Sequence, residues 1–414
     1  MNLVWDESLR QAAALCDWWE KNTEGFVTSC DDTMTVALNV LATAGLGQSW
    51  KFKPSTSQHG KHRGTSEIQS ADYRDTMATL LSSMNILSLT PDWMYDLNLK
   101  YVPLLPLSRT WKDHLIAAKR LRMLMRQMVE ERRTEFREGK TKDNIFLNAM
   151  IAQSEASVTE KGTKGTGLSD GELFGNMFAY SVAGHETTAH TLNYTLHLLA
   201  AYPEWQEWIH EEVDQVFQET PTDTAEICYA EYYPRLKRCI ALMHEVLRLY
   251  PPVLEHTKQT LGPEGQKLRV DGREVYLPPN TAVHLNVMGC HTMSEYWGPD
   301  HYEFKPSRWI KDALASSEEF HQPTEDREAF FPWSLGARIC PGKKFSQVEY
   351  VAIISHVLRR VRVEAIPLEG ETPEATRVRV WENTRDSESQ VTMNMRHPEK
   401  VRLRMIGRTA AASV

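Results

Sequence analysis

The sequence has no run of about 18 consecutive apolar residues, so it offers no transmembrane helix. It is poor in cysteine. There are six in 414 residues (Cys16, Cys30, Cys228, Cys239, Cys290 and Cys340), none in a Cys-x-x-Cys pair. That excludes a disulfide scaffold and points to a reducing compartment. An excess of positive charge is also lacking. Lys plus Arg number 47 against 55 for Asp plus Glu, a net charge of −8, which argues against binding nucleic acid through a basic face. The first residues, Met1-Asn-Leu-Val-Trp-Asp-Glu7, show no basic region followed by an apolar stretch and are not expected to be a signal peptide. No internal repeat is found. What is present is ordinary globular composition, 41 % hydrophobic and 25 % charged, enough for a large core. The length suits one large domain, or two or three of about 100–200 residues each.

Residues 1 to about 250 read mainly as helices. Loops rich in Gly, Ser, Thr and Lys are predicted at 53–66 and 154–168. The spacing of Leu115, Leu121, Leu124 and Met128 predicts an amphipathic helix over 109–138. The clearest element follows. Ser169, with Glu172 three residues on, forms a capping box, and the helical pattern stops before Pro203. That helix holds about 32 residues and is ~48 Å long at a rise of about 1.5 Å per residue. At its middle sits Ala183-Gly-His-Glu-Thr-Thr188. Gly and two Thr are locally unfavourable there, and a packing notch for a crossing helix is one explanation. Further helices are predicted at 203–218, 232–249 and 342–360. From 253 to 290 short β runs alternate with turns, at 267–270, 275–277 and 282–287. The tail, 390–406, reads as a hairpin turning at His397-Pro398. Mostly helix with minor β late in the chain predicts a mainly α, α+β fold in a single domain over 1–414.

The most specific segment is Phe331-Pro-Trp-Ser-Leu-Gly-Ala-Arg-Ile-Cys340-Pro-Gly-Lys-Lys-Phe345. A cysteine on a tight loop before a helix N-terminus is held in a field that favours the thiolate. Arg338 adds positive charge, and Trp333 is large enough to cover the sulfur. A shielded thiolate suits an iron ligand better than an exposed nucleophile; a buried free cysteine is the alternative. A rival pattern, His185-Glu-Thr-Thr-Ala-His190, fails as a zinc site. Two ligands on one helix face need i,i+4 spacing, and i,i+5 sets the imidazoles about 140° apart.

Trp333-x-x-Gly336-x-Arg338-x-Cys340-x-Gly342 resembles the haem-thiolate signature of the cytochromes P450, with Trp where the family usually has Phe. Ala183-Gly184-x-Glu186-Thr187-Thr188 resembles the family's oxygen-activation motif. Glu245-Val-Leu-Arg248 resembles its Glu-x-x-Arg helix. Glu-x-x-Arg occurs six times in the chain, so this match alone carries nothing, but only Glu245 is followed by Leu249-Tyr-Pro-Pro252. Pro306-Ser-Arg308 resembles the Pro-x-Arg motif upstream of the cysteine loop. The resemblance covers nearly the whole chain, is closest to the fungal microsomal group, and keeps the family's order of motifs.

The resemblance implies the cytochrome P450 fold and a haem b cofactor held by Cys340 as axial thiolate, which favours O–O cleavage. Trp333 and Gly342 belong to the thiolate loop, and Ala183 and Gly184 belong to the helix over the haem. Glu186 and Thr187 are the implied proton relay to dioxygen, since general acid work needs a protonatable group near the leaving oxygen. Arg338 and His291 are implied anchors for the haem propionates, with Lys258 a weaker candidate. Glu245, Arg248 and Arg308 form an implied structural network. Phe178, Ala179, Val182 and Val253, with much of 66–110, would border the substrate. The implied function is a monooxygenase acting on a small lipophilic molecule, with dioxygen and electrons from an NADPH-cytochrome P450 reductase that docks near Lys343 and Lys344. A monomer is expected, at the cytoplasmic face of the endoplasmic reticulum for a complete member. Complete members run to about 500 residues by resemblance. The chain is therefore expected to lack the anchor, the first strands and the first helices, and to expose a sheet edge. Two alternatives stay open: a truncated, non-catalytic remnant, and a reductase-independent peroxygenase or isomerase.

Overall fold

The computed structural model describes residues 1–54, 73–81, 83, 86, 89–98, 101–139, 145–159, 167–218, 227–311, 319–320, 329–389 and 391–408. Most of the predicted polar loop at 53–66, and parts of 66–110 and 154–168, lie outside them; residues 154–159 are helical, which corrects the loop expected there. The chain divides into two compact units. One comprises 1–21 and 28–189, the other 22–27 and 190–414.

The first unit is helical. Its elements are α1 (Asn2–Lys21), α2 (Ser29–Leu41), α3 (Tyr73–Leu81), α4 (Asp92–Tyr95), α5 (Arg109–Arg137), α6 (Phe146–Thr159) and most of α7 (Asp170–Ala201). Helix α5 is capped by Ser108, whose hydroxyl accepts from the Trp111 amide at 3.4 Å. It buries Leu115, Leu121, Met125, Met128 and Val129 against Met77, Leu147, Ile151, Leu173 and Met177 of its neighbours. The Ser169–Glu172 capping box is formed. Glu172 accepts from the Ser169 amide at 2.8 Å, and the Glu172 amide donates to Ser169 Oγ at 3.3 Å. Each bond satisfies a backbone donor that the helix start would leave open. Gly184 lies against α2. A Cβ there would approach two Leu41 methyl carbons at 3.1 and 3.2 Å, so glycine permits this helix–helix contact.

In the second unit α7 is followed by α8 (Pro203–Phe217), α9 (Tyr229–Tyr232) and α10 (Lys237–Leu249). Helix α10 is buried almost all round, from Cys239 to Arg248, the pattern of a helix at the centre of a core. Its first turn is capped from α8. Buried Glu212 accepts from the Arg238 and Cys239 amides at 2.6 and 3.0 Å. Four strands follow: β1 (Glu255–Gln259), β2 (Gln266–Val270), β3 (Arg273–Leu277) and β4 (Ala282–Asn286). Next come α11 (Val287–Thr292), α12 (Ser294–Trp297), β5 (Ile310–Lys311), β6 (Glu319–Phe320), α13 (Lys343–Arg360), β7 (Val361–Ala365), α14 (Pro373–Arg385), β8 (Ser387–Ser389), β9 (Met393–Met395) and β10 (Leu403–Gly407). Among the described residues the strands pair as antiparallel ribbons, β1 with β4, β2 with β3, β5 with β6, β8 with β9, and β7 with β10.

The tail corrects the sequence reading. The strands of 390–406 do not pair with each other. Met393–Met395 pairs with Ser387–Ser389, and Leu403–Gly407 pairs with Val361–Ala365. Burial decides this. Pairing β10 with β7 puts Met405 opposite Val363, and Leu403 and Val361 are buried in the same ribbon. The opposite edge of β7 is closed by Gln206 of α8, which bonds both the amide and the carbonyl of Val363. Among the described residues no helix is long and apolar enough to cross a membrane.

Candidate functional site

The cysteine loop is shaped by two residues with positive φ, Ser334 at 64° and Gly336 at 78°. Glycine is needed at 336 because an L side chain is strained there. The Cys340 amide donates to the Trp333 carbonyl at 2.8 Å, and the Ile339 amide to the Gly336 carbonyl at 3.1 Å. These bonds close the loop. Gly342 is the N-cap of α13. Cys340 therefore stands one short turn before a helix N-terminus, where the dipole favours an anion.

Along this loop Leu335, Arg338, Ile339 and Cys340 are exposed. Strand β1 is adjacent, because Lys258 Nζ donates to Ser334 Oγ at 3.4 Å. Val253 just before β1 and Leu285 on β4 are exposed aliphatic side chains. A soft sulfur, two cations and exposed aliphatics are the donor set required by a flat, apolar macrocycle that carries carboxylates and an iron centre. The residues present fit haem.

Trp333 is half-buried. Its Nε1 donates to Ser346 Oγ at 3.1 Å, and the Lys343 ammonium lies 5.3 Å from the centre of its ring. That places Lys343 against the indole, a cation–π contact. Lys344 makes the same kind of contact with Tyr233, at 3.9 Å.

The structure brings Glu245, Arg248 and Arg308 together. Arg248 grips Glu245 with Nε and Nη2, both at 2.8 Å. Arg308 Nε donates to Glu245 Oε1 at 3.0 Å. Two donors that the sequence reading missed complete the shell: the Lys305 amide at 2.9 Å and Trp309 Nε1 at 3.0 Å. The remaining Arg248 donors go to the carbonyls of His291, His301 and Glu303. A buried charge pair of this kind is tolerated only with such complete hydrogen bonding. Arg308 also meets Asp300 at 3.2 Å. Burial opposes ionisation of Asp300, but the Lys305 and Arg308 contacts outweigh it and hold its carboxyl below the usual range.

His291 is placed elsewhere than the resemblance implies. It is wholly buried. The Phe331 amide donates to its Nε2 at 3.0 Å, so the ring proton sits on Nδ1, which faces the Leu247 carbonyl at 3.2 Å. Burial, more than the neighbouring Arg248, lowers its pKa to about 3. A neutral ring with both nitrogens engaged by the backbone has no donor left for a propionate. His291 braces α10 against the start of the cysteine segment instead.

In the first unit, Ala179, Ala183 and Thr187 are spaced by four on α7 and so share one side of it. Ala179 and Ala183 are exposed, and Glu186 and Thr187 are half-buried. Thr187 Oγ1 donates to the Ala183 carbonyl at 3.0 Å. Phe178 is half-buried and Val182 buried, the latter in the hydrophobic core.

A sequence model described as Cytochrome P450 matches residues 11–384. A cytochrome P450 monooxygenase of Arthrobotrys oligospora is 28 % identical over 431 residues, 97 % of this chain and 71 % of that protein. Cytochrome P450 monooxygenase 124 of Postia placenta is 31 % identical, over 94 % of this chain and 69 % of its own. A phomenoic acid biosynthesis cluster cytochrome P450 monooxygenase of Leptosphaeria maculans is 34 % identical over 59 % of this chain and 43 % of its own. The crystal structure of a cytochrome P450 superposes with a TM-score of 0.71 at 19 % identity, covering 99 % of this chain and 78 % of that one. That last likeness concerns the fold.

Proposed function

Since this chain belongs to the cytochrome P450 family, we propose that it is a haem monooxygenase in which Cys340 supplies the axial thiolate. The observation that carries this reading is the Cys340 loop. Its sulfur is exposed at a helix N-terminus, Arg338 lies on the same loop with exposed Leu335 and Ile339, and Lys258 of β1 reaches the loop at Ser334. Bound there, haem b supplies the activation of dioxygen for insertion of one oxygen atom into an organic substrate.

The chain's own residues divide the remaining work. Arg338 binds one haem carboxylate, and Lys258 assists. The Trp333 carbonyl holds the Cys340 amide. Glu245, with Arg248 and Arg308, fixes the segment that runs from α10 to the cysteine loop, and His291 positions Phe331 within it. On α7, Ala179 and Ala183 leave space, while Thr187 and Glu186 hold the protons that oxygen reduction consumes. The substrate is a small lipophilic molecule and the electron donor an NADPH-dependent reductase. Lys343 and Lys344 are the cations we assign to its docking. The site is at the endoplasmic reticulum membrane, and the chain acts as a monomer and a single functional domain.

The test is the carbon monoxide difference spectrum of the reduced, haem-loaded protein. The red-shifted Soret band of a thiolate ligand, lost in Cys340→Ala, is expected. A band of a neutral ligand, or a thiolate band that survives Cys340→Ala, overturns the reading.

A further inference from the structure

We propose that His244 is a positioning residue for the thiolate loop: its ring holds the Trp333 indole, and Trp333 in turn holds the Cys340 backbone. This rests on the reading of Cys340 as the iron ligand.

His244 precedes Glu245 on α10, and its side chain is buried. Four aromatic rings enclose it. Trp309 and Phe320 stand nearly perpendicular to it at 5.0 Å between centres, and Phe330 and Trp333 lie tilted at 5.1 and 5.5 Å. One nitrogen, Nε2, lies 3.4 Å from Gln347 Nε2 of α13. The other, Nδ1, has no hydrogen-bond partner among the described residues. Burial keeps the ring neutral. A buried nitrogen without a partner costs free energy that a phenyl ring would not, so the imidazole is not explained by filling the cage. What it adds is the contact to Gln347. It thereby joins α10, the cysteine loop and the helix after that loop.

The path to Cys340 is short. Trp309, one ring against His244, is bonded to Glu245. Trp333, another, accepts the Cys340 amide proton on its own carbonyl at 2.8 Å. The Trp333 indole is also bonded at its edge by Ser346 and faced by Lys343, a flexible side chain. His244 is the rigid wall among its neighbours. Without that wall the indole is free to turn, and the Trp333 backbone that accepts the Cys340 amide is held less firmly.

The experiment compares haem-loaded wild type with His244→Leu and His244→Phe. The readout is the rate at which the reduced carbon monoxide complex passes from the thiolate band to the neutral-ligand band in a mild chaotrope, together with the haem reduction potential. His244→Leu is expected to convert roughly fivefold faster, as loss of one aromatic contact allows. His244→Phe, which keeps a ring against Trp333, is expected to convert close to the wild-type rate. His244→Leu at the wild-type rate with unchanged potential overturns the proposal, and so do equal rates for Leu and Phe. Should the Leu variant fail to assemble, His244→Met, of similar volume and without a ring, serves the same comparison. A wild type with no thiolate band overturns the reading of Cys340 itself. A normal wild-type band with indifferent variants overturns only the role of His244.

Discussion

Trp309 donates its indole N–H to Glu245 Oε2 at 3.0 Å, next to the Arg248 Nε that reaches the same oxygen at 2.8 Å. Both Glu245 oxygens are thereby filled by side chains and by one backbone amide, in a site where Glu245 and Arg248 are wholly buried. Glu245→Gln leaves Arg248 charged and uncompensated. The expected loss is about 3–5 kcal/mol of folding stability. Trp309→Phe removes one bond to a charged acceptor and costs about 1.5–3 kcal/mol. Urea unfolding followed by far-UV circular dichroism checks both, and a smaller effect for Glu245→Gln than for Trp309→Phe contradicts the hierarchy.

Cys340 contributes little to packing, because its side chain is exposed. Cys340→Ala is expected to change unfolding stability by no more than about 0.5 kcal/mol, the range of ordinary surface substitutions. The same variant loses the thiolate band altogether. A large drop in stability without haem assigns Cys340 a packing role that its exposure excludes.

Retention of haem separates the cations from His291. Arg338→Leu is expected to speed haem dissociation by about tenfold to a hundredfold, the equivalent of one charge-assisted bond. Lys258→Gln has a smaller effect in the same direction. His291→Ala acts by another route, since it strips hydrogen bonds from Phe331 and Leu247. It lowers the stability of the haem-free chain, whereas Arg338→Leu leaves that stability unchanged. Transfer of haem to an acceptor protein measures the first quantity, and denaturant unfolding the second.

Thr187→Ala and Glu186→Gln are expected to uncouple the reaction. General acid groups contribute about 10²–10⁴-fold to proton transfer, so the share of consumed oxygen recovered as product falls several-fold and hydrogen peroxide rises. Simultaneous oxygen and peroxide measurement with an accepted substrate checks this. Unchanged coupling in both variants removes the two residues from the relay.

Stability is expected to fall in acid. Burial lowers the pKa of His185 to about 4 and of His244 and His291 to about 3. Between their unfolded value of about 6.5 and these folded values, the unfolded chain binds protons that the folded chain refuses. Their stabilisation is complete above about pH 6.5 and is lost as pH falls, by about 2 kcal/mol per ring at pH 5. Glu212 works in the opposite sense. Burial raises its pKa to about 7, so its contribution is present below its unfolded pKa of 4.5 and is lost as pH rises toward 7. Unfolding free energies from pH 5 to 8 should rise overall, and Glu212→Gln should steepen that rise by removing the opposing slope.

Local rules made much of the chain legible. The Ser169–Glu172 box and Pro203 bound α7, and helix-period leucines mark α5, because these signals act within a few residues. The cysteine loop was legible as a motif. What escaped depends on partners distant in sequence. Residues 390–406 look like a hairpin because two short strands flank a Pro turn, but the pairing is settled by Val361 and Val363, some forty residues upstream. His291 sits where a haem anchor would in the linear pattern, and only the Phe331 amide and the Leu247 carbonyl show that its nitrogens are already used. Trp309 and Lys305 stand within three residues of Arg308, yet nothing local reveals that they turn toward Glu245.

The bond pair between Phe26 and Leu403, at 2.8 and 2.9 Å, has a consequence for synthesis of the chain. Residues 22–27 belong to the second unit although the sequence on either side of them belongs to the first. On the ribosome this short stretch emerges about 380 residues before its partner strand β10. At about 5–20 residues per second, it waits tens of seconds with open backbone groups. The second unit therefore closes only after β10 has emerged, and a nascent chain stalled before Leu403 presents an unmatched edge to chaperones.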